Sequence, residues 1–332
     1  MKESASAGKP VLVVGGAGYI GSHMVSALVA AGREVVILDN LSTGHRALLN
    51  PAALFVEGAC GDRALVERIL IDHAIGGVMH FAASSLVGES VQDPLKYYRN
   101  NLAQTVELLS AMQSVGVPYF VLSSTAAVYG EPQSVPIAES HPSRPTNPYG
   151  STKAALERLL AEVEVASGMR HMSLRYFNAA GAHPDGTIGE RHEPESHLIP
   201  IMIQVALGQR PHAQVFGTDW PTEDGSCVRD YIHVCDLADA HMVALQALER
   251  GAASSTYNLG TGKGYSVLQV IDTVRRITAH PVPVVVSGRR AGDPAVLVAN
   301  ADRIRSDLGW IPQRSDLDTI VSSAWNWHRR SA

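Results

Sequence analysis

The stretch VLVVGGAGYIG, Val11 to Gly21, is a short β-branched apolar run that empties into a glycine-rich turn, with Gly15, Gly18 and Gly21 three residues apart. A run of this length, apolar without alternation, reads as a strand buried on both faces. The residues that follow, GSHMVSALVAAG, carry apolar side chains at helical spacing and stop at glycine. The next strand, EVVILDN, ends on an acid, Asp39. Glycines of this spacing are weak evidence alone. Between a strand and a helix, with an acid about 20 residues on, they have the context that a dinucleotide site requires. Gly15 permits the tight turn, Gly18 lets backbone approach a pyrophosphate, and Gly21 allows close packing of the helix whose N-terminus faces the phosphates. Asp39 suits a ribose hydroxyl and repels a 2′-phosphate, which favours NAD over NADP.

Working outward, ALFVEG, GGVMHFAA, YFVLSS and HMSLRYFN read as further strands, and the first three, like the two before them, as buried. DRALVERILIDH and NNLAQTVELLSAMQSVG read as helices between them. Strand and helix alternating in this way predict an α/β fold, a Rossmann-type doubly wound parallel sheet. After Asn178 the texture changes to a stretch rich in Gly, Pro and His, and RDYIHVCDLADAHMVALQAL then returns to strand followed by helix. The expected organisation is a dinucleotide-binding domain at 10–178 plus about 231–259, and a smaller, discontinuous substrate-binding lobe at about 179–230 plus 260–332. Residues 1–9 read as a frayed leader.

The chain has 332 residues, ample for a core, with 45% hydrophobic and 18% charged residues and a net charge of −5. No basic footprint points to nucleic acid or an anionic membrane, and no apolar run has the length of a membrane span. The three cysteines, Cys60, Cys227 and Cys235, lack paired spacing, which fits a reducing, cytoplasmic compartment. Fourteen histidines invite a metal reading, notably in RHEPESH, but no pair shows ligand spacing with a carboxylate partner, so no metal is expected.

TNPYGSTKAALER, Thr146 to Arg158, opens a helix that Asn147 or Thr146 can cap and whose first turn suits Pro148. Tyr149 and Lys153 lie four residues apart and therefore share a face. A free phenol has a pKa of about 10, and one close cation lowers it by about 1–3 units, so Lys153 alone is marginal for making a base near neutrality. The positive ring of an oxidised nicotinamide would add to it. In VLSSTAAVYG a strand meets its turn at the carboxyl edge of the sheet, where Ser124 or Thr125 can place a hydroxyl beside Tyr149. Such serines also serve merely to satisfy a strand end.

With the glycine turn, Asp39, Thr125, Tyr149 and Lys153 in this order, the chain resembles the extended short-chain dehydrogenase/reductase superfamily. Within it, GGAGYIGSH, ILDNLSTG, HFAASSLVGESVQDPLKYYRNN, SSTAAVYGE, NPYGSTK, HLIP, TEDGSCVRDYIHVCDLADAH, YNLGTG and RRAGDPA resemble blocks of the UDP-glucose 4-epimerase family. They cover nearly the whole chain. The resemblance implies that NAD stays bound and that Tyr149 takes the proton of the sugar 4-hydroxyl while C4 gives hydride to NAD, Thr125 relaying or positioning that proton. The 4-keto sugar then turns about its pyrophosphate link, and hydride returns to its other face.

The resemblance further implies cofactor contacts at Tyr19, Ile20, Asp39, Asn40, Ala59, Cys60, Phe81, Ala82, Ala83, Ser85, Asn100, Thr125, Tyr149, Lys153 and Phe177. For the UDP-sugar it implies Asn178, His197, Leu198, Gln214, Val215, Phe216, Arg229 and Arg290 through Asp293, the arginines as pyrophosphate clamps. Ala59 and Ser85 stand where many relatives carry an acid and some carry a lysine, changes that would weaken NAD retention. Leu297 stands at the gate of the sugar pocket and is intermediate in size, which favours UDP-glucose and UDP-galactose and leaves the N-acetylhexosamine pair open. A homodimer is implied as well. A 4,6-dehydratase would need an acid and a base after Thr125, where this chain has Ala126 and Ala127. An exchangeable-cofactor reductase and a non-catalytic NAD-sensing regulator are the other readings, the latter disfavoured by retention of Thr125, Tyr149 and Lys153.

Overall fold

A computed structural model describes residues 8–290 and 293–331. The expected leader lies outside the described residues up to residue 7, as do Ala291 and Gly292 of the Arg290–Asp293 stretch. The chain divides into two compact units. One holds the chain up to Gly130, Ser143–Arg175 and Ala238–Tyr257; the other holds Glu131–Pro142, Tyr176–Leu237 and the chain from Asn258 onward.

The first unit begins with β1 (Val11–Val14), α1 (Tyr19–Ala30), β2 (Val35–Asp39), β3 (Leu54–Glu57), α2 (Arg63–Asp72) and β4 (Gly77–His80). Two short helices follow, α3 (Val87–Gln92) and α4 (Pro94–Tyr97), then a π-helical turn (Tyr98–Ala103) that runs into α5 (Gln104–Val115). β5 (Tyr119–Thr125), α6 (Pro148–Ser167) and β6 (Arg170–Tyr176) complete its first pass. The second unit contributes β7 (Asn178–Ala180), α7 (Leu198–Ala206), β8 (Ala213–Phe216), β9 (Val228–Arg229) and β10 (Tyr231–His233). α8 (Val234–Glu249) and β11 (Ser255–Leu259) follow, then β12 (Tyr265–Ser266), α9 (Val267–Thr278), β13 (Val284–Ser287), β14 (Val296–Leu297), α10 (Asp302–Leu308) and α11 (Leu317–Ser331).

Seven strands form one sheet in the order β11-β6-β5-β4-β1-β2-β3, with the pairs β1–β2, β2–β3, β1–β4 and β4–β5 parallel. From β1 the strand order runs outward in both directions, so the switch point lies between β1 and β4, where such folds open a crevice for ligands. Val11–Val14, Val35–Asp39 and Gly77–His80 are buried throughout, as their unbroken apolar runs predict. β3 departs from that reading: Leu54 and Glu57 are exposed because β3 is the edge strand. The core behind the sheet joins Leu12, Val14, Leu38, Val66, Leu108, Met112, Phe120 and Leu156.

In the second unit, small sheets pair β7 with β10, β8 with β13, and β9 with both β12 and β14. Its core gathers Met202 and Ile203 of α7, Val270 and Val274 of α9, and Ile320 and Val321 of α11. The buried Asp230 holds the unit's turns. Its carboxylate accepts the amides of Thr261 (2.9 Å), Gly262 (3.2 Å) and Ala299 (3.1 Å) and the Thr261 hydroxyl (2.7 Å).

Candidate active site

Gly15, Asp39, Ala59, Cys60, Phe81 and Thr125 all lie at or just beyond the carboxyl ends of strands β1 to β5. Parallel strands therefore bring residues far apart in sequence to one edge of the first unit. Gly15 adopts φ +82°, and a side chain there would come within 2.5 Å of the Ala82 amide. At Gly21 a β-carbon would sit 2.1 Å from the Gly15 carbonyl oxygen. The protein's own geometry thus demands glycine at both positions. Gly18 is different: its φ is −83°, and the nearest atom to a β-carbon there, Gly15 O, is 3.4 Å away. Neither backbone nor neighbour requires glycine at 18, so its missing side chain leaves room outside the protein, as a phosphate group needs. It is the N-cap of α1, supplies no side-chain cap, and the first turn, which includes Tyr19 and Ile20, has no acid. The amides at that end therefore suit an anion. These residues fit a dinucleotide.

Asp39 first serves the turn itself. Its oxygens accept the amides of Ala17 (3.0 Å) and Leu41 (2.8 Å), and each keeps a lone pair for a ribose hydroxyl. Asn40 turns its side chain to the Ser42 amide (3.0 Å). Cys60 is buried, its thiol 3.6 Å from Gln104 Oε1, and burial pushes it up to about 11. Ala82 and Ala83 are half-buried and Ser85 is exposed on the loop after β4. Asn100 lies in the π-helical turn and donates to Ser84 Oγ (3.2 Å). Its neighbour Asn101, which sequence reasoning passed over, is the buried anchor. It accepts the Ser84 amide (2.8 Å) and donates to Ser84 O (3.0 Å) and Thr152 Oγ1 (3.2 Å), tying that loop to α6.

α6 carries the chemistry. Asn147 is its N-cap, accepting the Gly150 amide at 2.9 Å, and Pro148 begins its first turn. Tyr149 hydrogen-bonds Thr125, whose hydroxyl also accepts the Ala127 amide (3.1 Å). The Tyr149 ring meets buried Tyr97 edge-on at 6.5 Å. Lys153, 2% exposed, donates to the Ser123 carbonyl at 2.8 Å. Burial raises the Tyr149 phenol above its ordinary value and the Thr125 hydrogen bond works against that rise. The Lys153 ammonium spends one of its donors on Ser123, and burial, opposed by Glu157, brings it down to about 8.

A network behind the site went unread in the sequence. Glu157 lies one turn beyond Lys153 and forks onto Arg175, with Nε–Oε1 at 3.0 Å. It also accepts the Ser124 hydroxyl, so Ser124 does more than satisfy its own strand end. Arg175 in turn donates to the Tyr129 hydroxyl (2.9 Å). Tyr149, Lys153 and Glu157 stand at i, i+4 and i+8, and this spacing was the signal available for Glu157. His80, wholly buried at the end of β4, lies 3.1 Å from Thr105 Oγ1 and is held neutral, at about 3, by burial and by Lys153.

In the second unit, Asn178 donates through backbone (3.1 Å) and side chain (3.2 Å) to Asp230 O, and Phe177 is half-buried beside it in sequence. Arg229 and Leu297 are register partners on β9 and β14, and the Arg229 guanidinium lies 3.9 Å from Asp293. Arg290 stacks over Phe216 at 4.2 Å. Phe216, Arg229 and Leu297 thus lie on β8, β9 and β14, and Arg290 and Asp293 reach the first two from the segment between β13 and β14. Along β8 the side chains alternate: Gln214 is exposed, whereas Val215 is buried in the core and could meet a ligand only through its backbone. His197 caps α7, which begins at Leu198.

The histidine reading needs a larger correction. His192 and His197 both have carboxylate partners, Glu190 and Glu195. Spacing rules for a helix missed them because an irregular loop, not a helix face, closes the distance. Burial opposes charge on both rings, but hydrogen bonds to the two carboxylates outweigh it and bring His192 to about 9 and His197 to about 10.

A glycine turn with an unclaimed Gly18, and a Tyr–Lys helix beside a strand-end threonine, define a dinucleotide-dependent enzyme of short-chain dehydrogenase/reductase type. The comparisons refine this. The chain belongs to the NAD dependent epimerase/dehydratase family, which it matches over residues 11–260. It is 50% identical over 318 residues to a UDP-glucose 4-epimerase of Lacticaseibacillus casei, covering 96% of each chain. It is 52% identical over 319 residues to that of Halalkalibacterium halodurans, covering 96% of this chain and 95% of the relative. The structure of UDP-glucose 4-epimerase from Brucella ovis in complex with NAD superposes with a TM-score of 0.94 at 46% identity, covering 96% and 98% of the two chains. Among the described residues, no helix is long and apolar enough to cross a membrane.

Proposed function

We propose that this protein is a UDP-glucose 4-epimerase, interconverting UDP-galactose and UDP-glucose with tightly held NAD. The observation that carries the reading is the Thr125–Tyr149 hydrogen bond beside buried Lys153, at the sheet edge that also bears the glycine turn. When bound, NAD supplies reversible hydride exchange at sugar C4 and a positive ring near the phenol. Gly15, Gly18, Gly21, Asp39 and the strand-end residues through Ser85 would hold it, and Lys153 would hold its nicotinamide ribose. Tyr149 takes the proton of the 4-hydroxyl and returns it, with Thr125 sharing that proton and fixing the phenol's direction. Because burial holds the Tyr149 proton tightly, a positive charge at the site is what releases it.

The second unit would hold the UDP portion. Arg229 and Arg290 offer guanidinium forks to the diphosphate, and Asn178, His197 and the β8 strand are the further contacts that the family resemblance implies. Leu297, opposite Arg229, would bound the sugar pocket and leave more space than an aromatic gate. The three cysteines are free, which suits the cytoplasm. Val87, Val91, Leu95 and Tyr98 leave exposed apolar surface on consecutive helical turns, which a second copy would cover in a homodimer. Purified protein given UDP-galactose and no added NAD is expected to form UDP-glucose. Conversion only after NAD is supplied would point to Ala59 and Ser85 as weakening retention. No conversion even with NAD would reject the UDP-galactose assignment, and UDP-N-acetylgalactosamine is the next substrate to offer.

A further inference from the structure

Glu190, His192, Glu195 and His197 bring four donor atoms to one point. His197 Nδ1 lies 2.9 Å from Glu190 Oε1 and 3.0 Å from Glu195 Oε1. His192 Nδ1 lies 3.2 Å from Glu190 Oε1 and 3.8 Å from Glu195 Oε2. All four donor atoms fall within 4.8 Å of one another. Both glutamates are buried, 4% and 7% exposed.

Hydrogen bonding accounts for only part of this. A single N–H is directed at one acceptor, yet His197 Nδ1 stands at the same range from oxygens of two different glutamates. Two buried carboxylates crowded on one nitrogen need positive charge at their common centre. Two protons, one on each imidazole, would supply it. So would one divalent cation with both imidazoles neutral, and the second arrangement uses every donor at once. Four ligands with bonds of about 2.0–2.2 Å in a tetrahedron lie about 3.3–3.6 Å apart. The separations that meet at Glu190 Oε1 and His197 Nδ1, 2.9, 3.0 and 3.2 Å, lie just below that range, and the 3.8 Å separation runs from His192 to the other oxygen of Glu195, Oε2, which the loop amides leave free to turn toward a metal.

The loop is also braced from outside, as metal ligands are. Glu195 Oε1 accepts the amides of Ser196 and His197, each at 2.8 Å. Trp327 Nε1 donates to Glu190 O (2.9 Å), and Arg210 Nη2 donates to Glu195 O (3.2 Å). At Gly189, a side chain would meet the Trp327 ring at 2.4 Å. These contacts hold the backbone of the loop without calling on the imidazoles.

We propose that Glu190, His192, Glu195 and His197 form a binding site for a divalent transition-metal ion, zinc by ligand type, that pins the loop leading into α7. Two imidazoles with two carboxylates are borderline ligands in a closed set of four, as in structural zinc sites, and unlike the all-oxygen shells of magnesium or calcium. Coordination through Nδ1 leaves the Nε2–H of His197 available as a donor, so the site is compatible with a substrate contact by that residue.

The test is metal content, which does not depend on turnover. Untagged full-length protein from zinc-supplemented cells, desalted and measured by elemental mass spectrometry, is expected to carry about one zinc per chain. His192→Gln is expected to lower that occupancy at least tenfold. After chelation, added cobalt should give the intense visible bands of a four-coordinate site, and the chelator should lower the Tm of the wild type. Should His192→Gln fail to fold, stoichiometry and the cobalt spectrum of the wild type still decide. Wild-type protein without zinc and without a four-coordinate cobalt spectrum would overturn the proposal, leaving two imidazolium ions as the counter-charges. Zinc retained in full by folded His192→Gln would also overturn it.

Discussion

Lys153 on α6 is buried and His197 at the head of α7 is exposed with two buried glutamates against its ring, and the two settings act on positive charge in opposite directions. Burial brings Lys153 down to about 8, because it bonds a neutral carbonyl and the carboxylate that favours its charge, Glu157, is itself engaged by Arg175. Burial acts on His197 in the same sense, yet Glu190 and Glu195 touch the ring and bring it up to about 10. The loop around His197 sets two imidazoles against two carboxylates, so its charge is compensated at the loop itself, by a proton on each ring or by a metal ion between them. The α6 face is not: a raised phenol and a lowered ammonium both wait on charge from elsewhere. A site that must exchange protons benefits from that incomplete compensation, whereas a site that must hold a loop in place benefits from full compensation.

The largest test of this contrast is Tyr149→Phe. If the phenol is the proton carrier, turnover with UDP-galactose should fall by about 10²–10⁴-fold, the usual worth of a positioned acid–base group. Nucleotide binding, measured by calorimetry with UDP, should remain within a few-fold of wild type. Residual turnover above a tenth of wild type would mean that Thr125 or solvent carries the proton.

Glu157→Gln asks whether compensation behind the site is structural. Arg175 would lose its fork while staying buried, at 10% side-chain exposure, and breaking one side of such a pair costs about 3–5 kcal/mol. Urea unfolding should show that loss. A change below about 1 kcal/mol, the worth of an exposed pair, would mean water reaches the network.

Acid probes the same region through His80. Its folded pKa, about 3, is depressed below the unfolded value of about 6.5. The unfolded chain therefore binds a proton that the folded chain refuses. Stability from this group is complete above pH 6.5 and is lost as pH falls toward 3, by up to about 1.4 kcal/mol per pH unit. His233, buried in the second unit and brought down to about 4, adds a like dependence. His80→Gln should flatten the decline of Tm between pH 6.5 and 4, and an unchanged slope would remove His80 from the account.

Gly18→Ala separates ligand space from protein geometry. Its β-carbon meets only Gly15 O at 3.4 Å, so the chain should fold with unchanged Tm while NAD binding weakens roughly tenfold, about 1.4 kcal/mol. Gly21→Ala, with a 2.1 Å clash, should instead destabilise the fold itself. Equal behaviour of the two variants would mean that Gly18 is not kept for a ligand.

These regions also differ in how legible they were. The sheet, α1, α6 and the Tyr149–Lys153 pair follow from periodicity, because residues on regular elements meet at fixed intervals. β3 was legible as a strand but not as an edge, since strand order is set by tertiary pairing. The Glu157–Arg175–Tyr129 network spans α6, β6 and the turn after β5, and only its Glu157 member lies at readable spacing from Lys153. The Glu190–His197 cluster had no readable period at all. Its backbone is irregular, so no sequence interval corresponds to a shared face. The Lys153 contact with the Ser123 carbonyl was unreadable for another reason: spacing places two side chains on one face but does not say where an ammonium is spent.

Thr125 gives the smallest and most selective test. Thr125→Ser keeps the hydroxyl that bonds Tyr149 and accepts the Ala127 amide, and loses one methyl group, about 0.8 kcal/mol if fully buried. Turnover should stay within about fourfold of wild type on that scale. Thr125→Val keeps the shape and removes the oxygen, leaving the Ala127 amide without that acceptor at a cost of about 1–3 kcal/mol. If Thr125 shares the proton, the valine variant should lose turnover well beyond its loss of stability, and its pH–rate profile should shift upward as the phenol loses the one hydrogen bond that opposes its rise. If serine and valine lower turnover equally with unshifted profiles, Thr125 only ends a strand, and the proton on the α6 face belongs to Tyr149 alone.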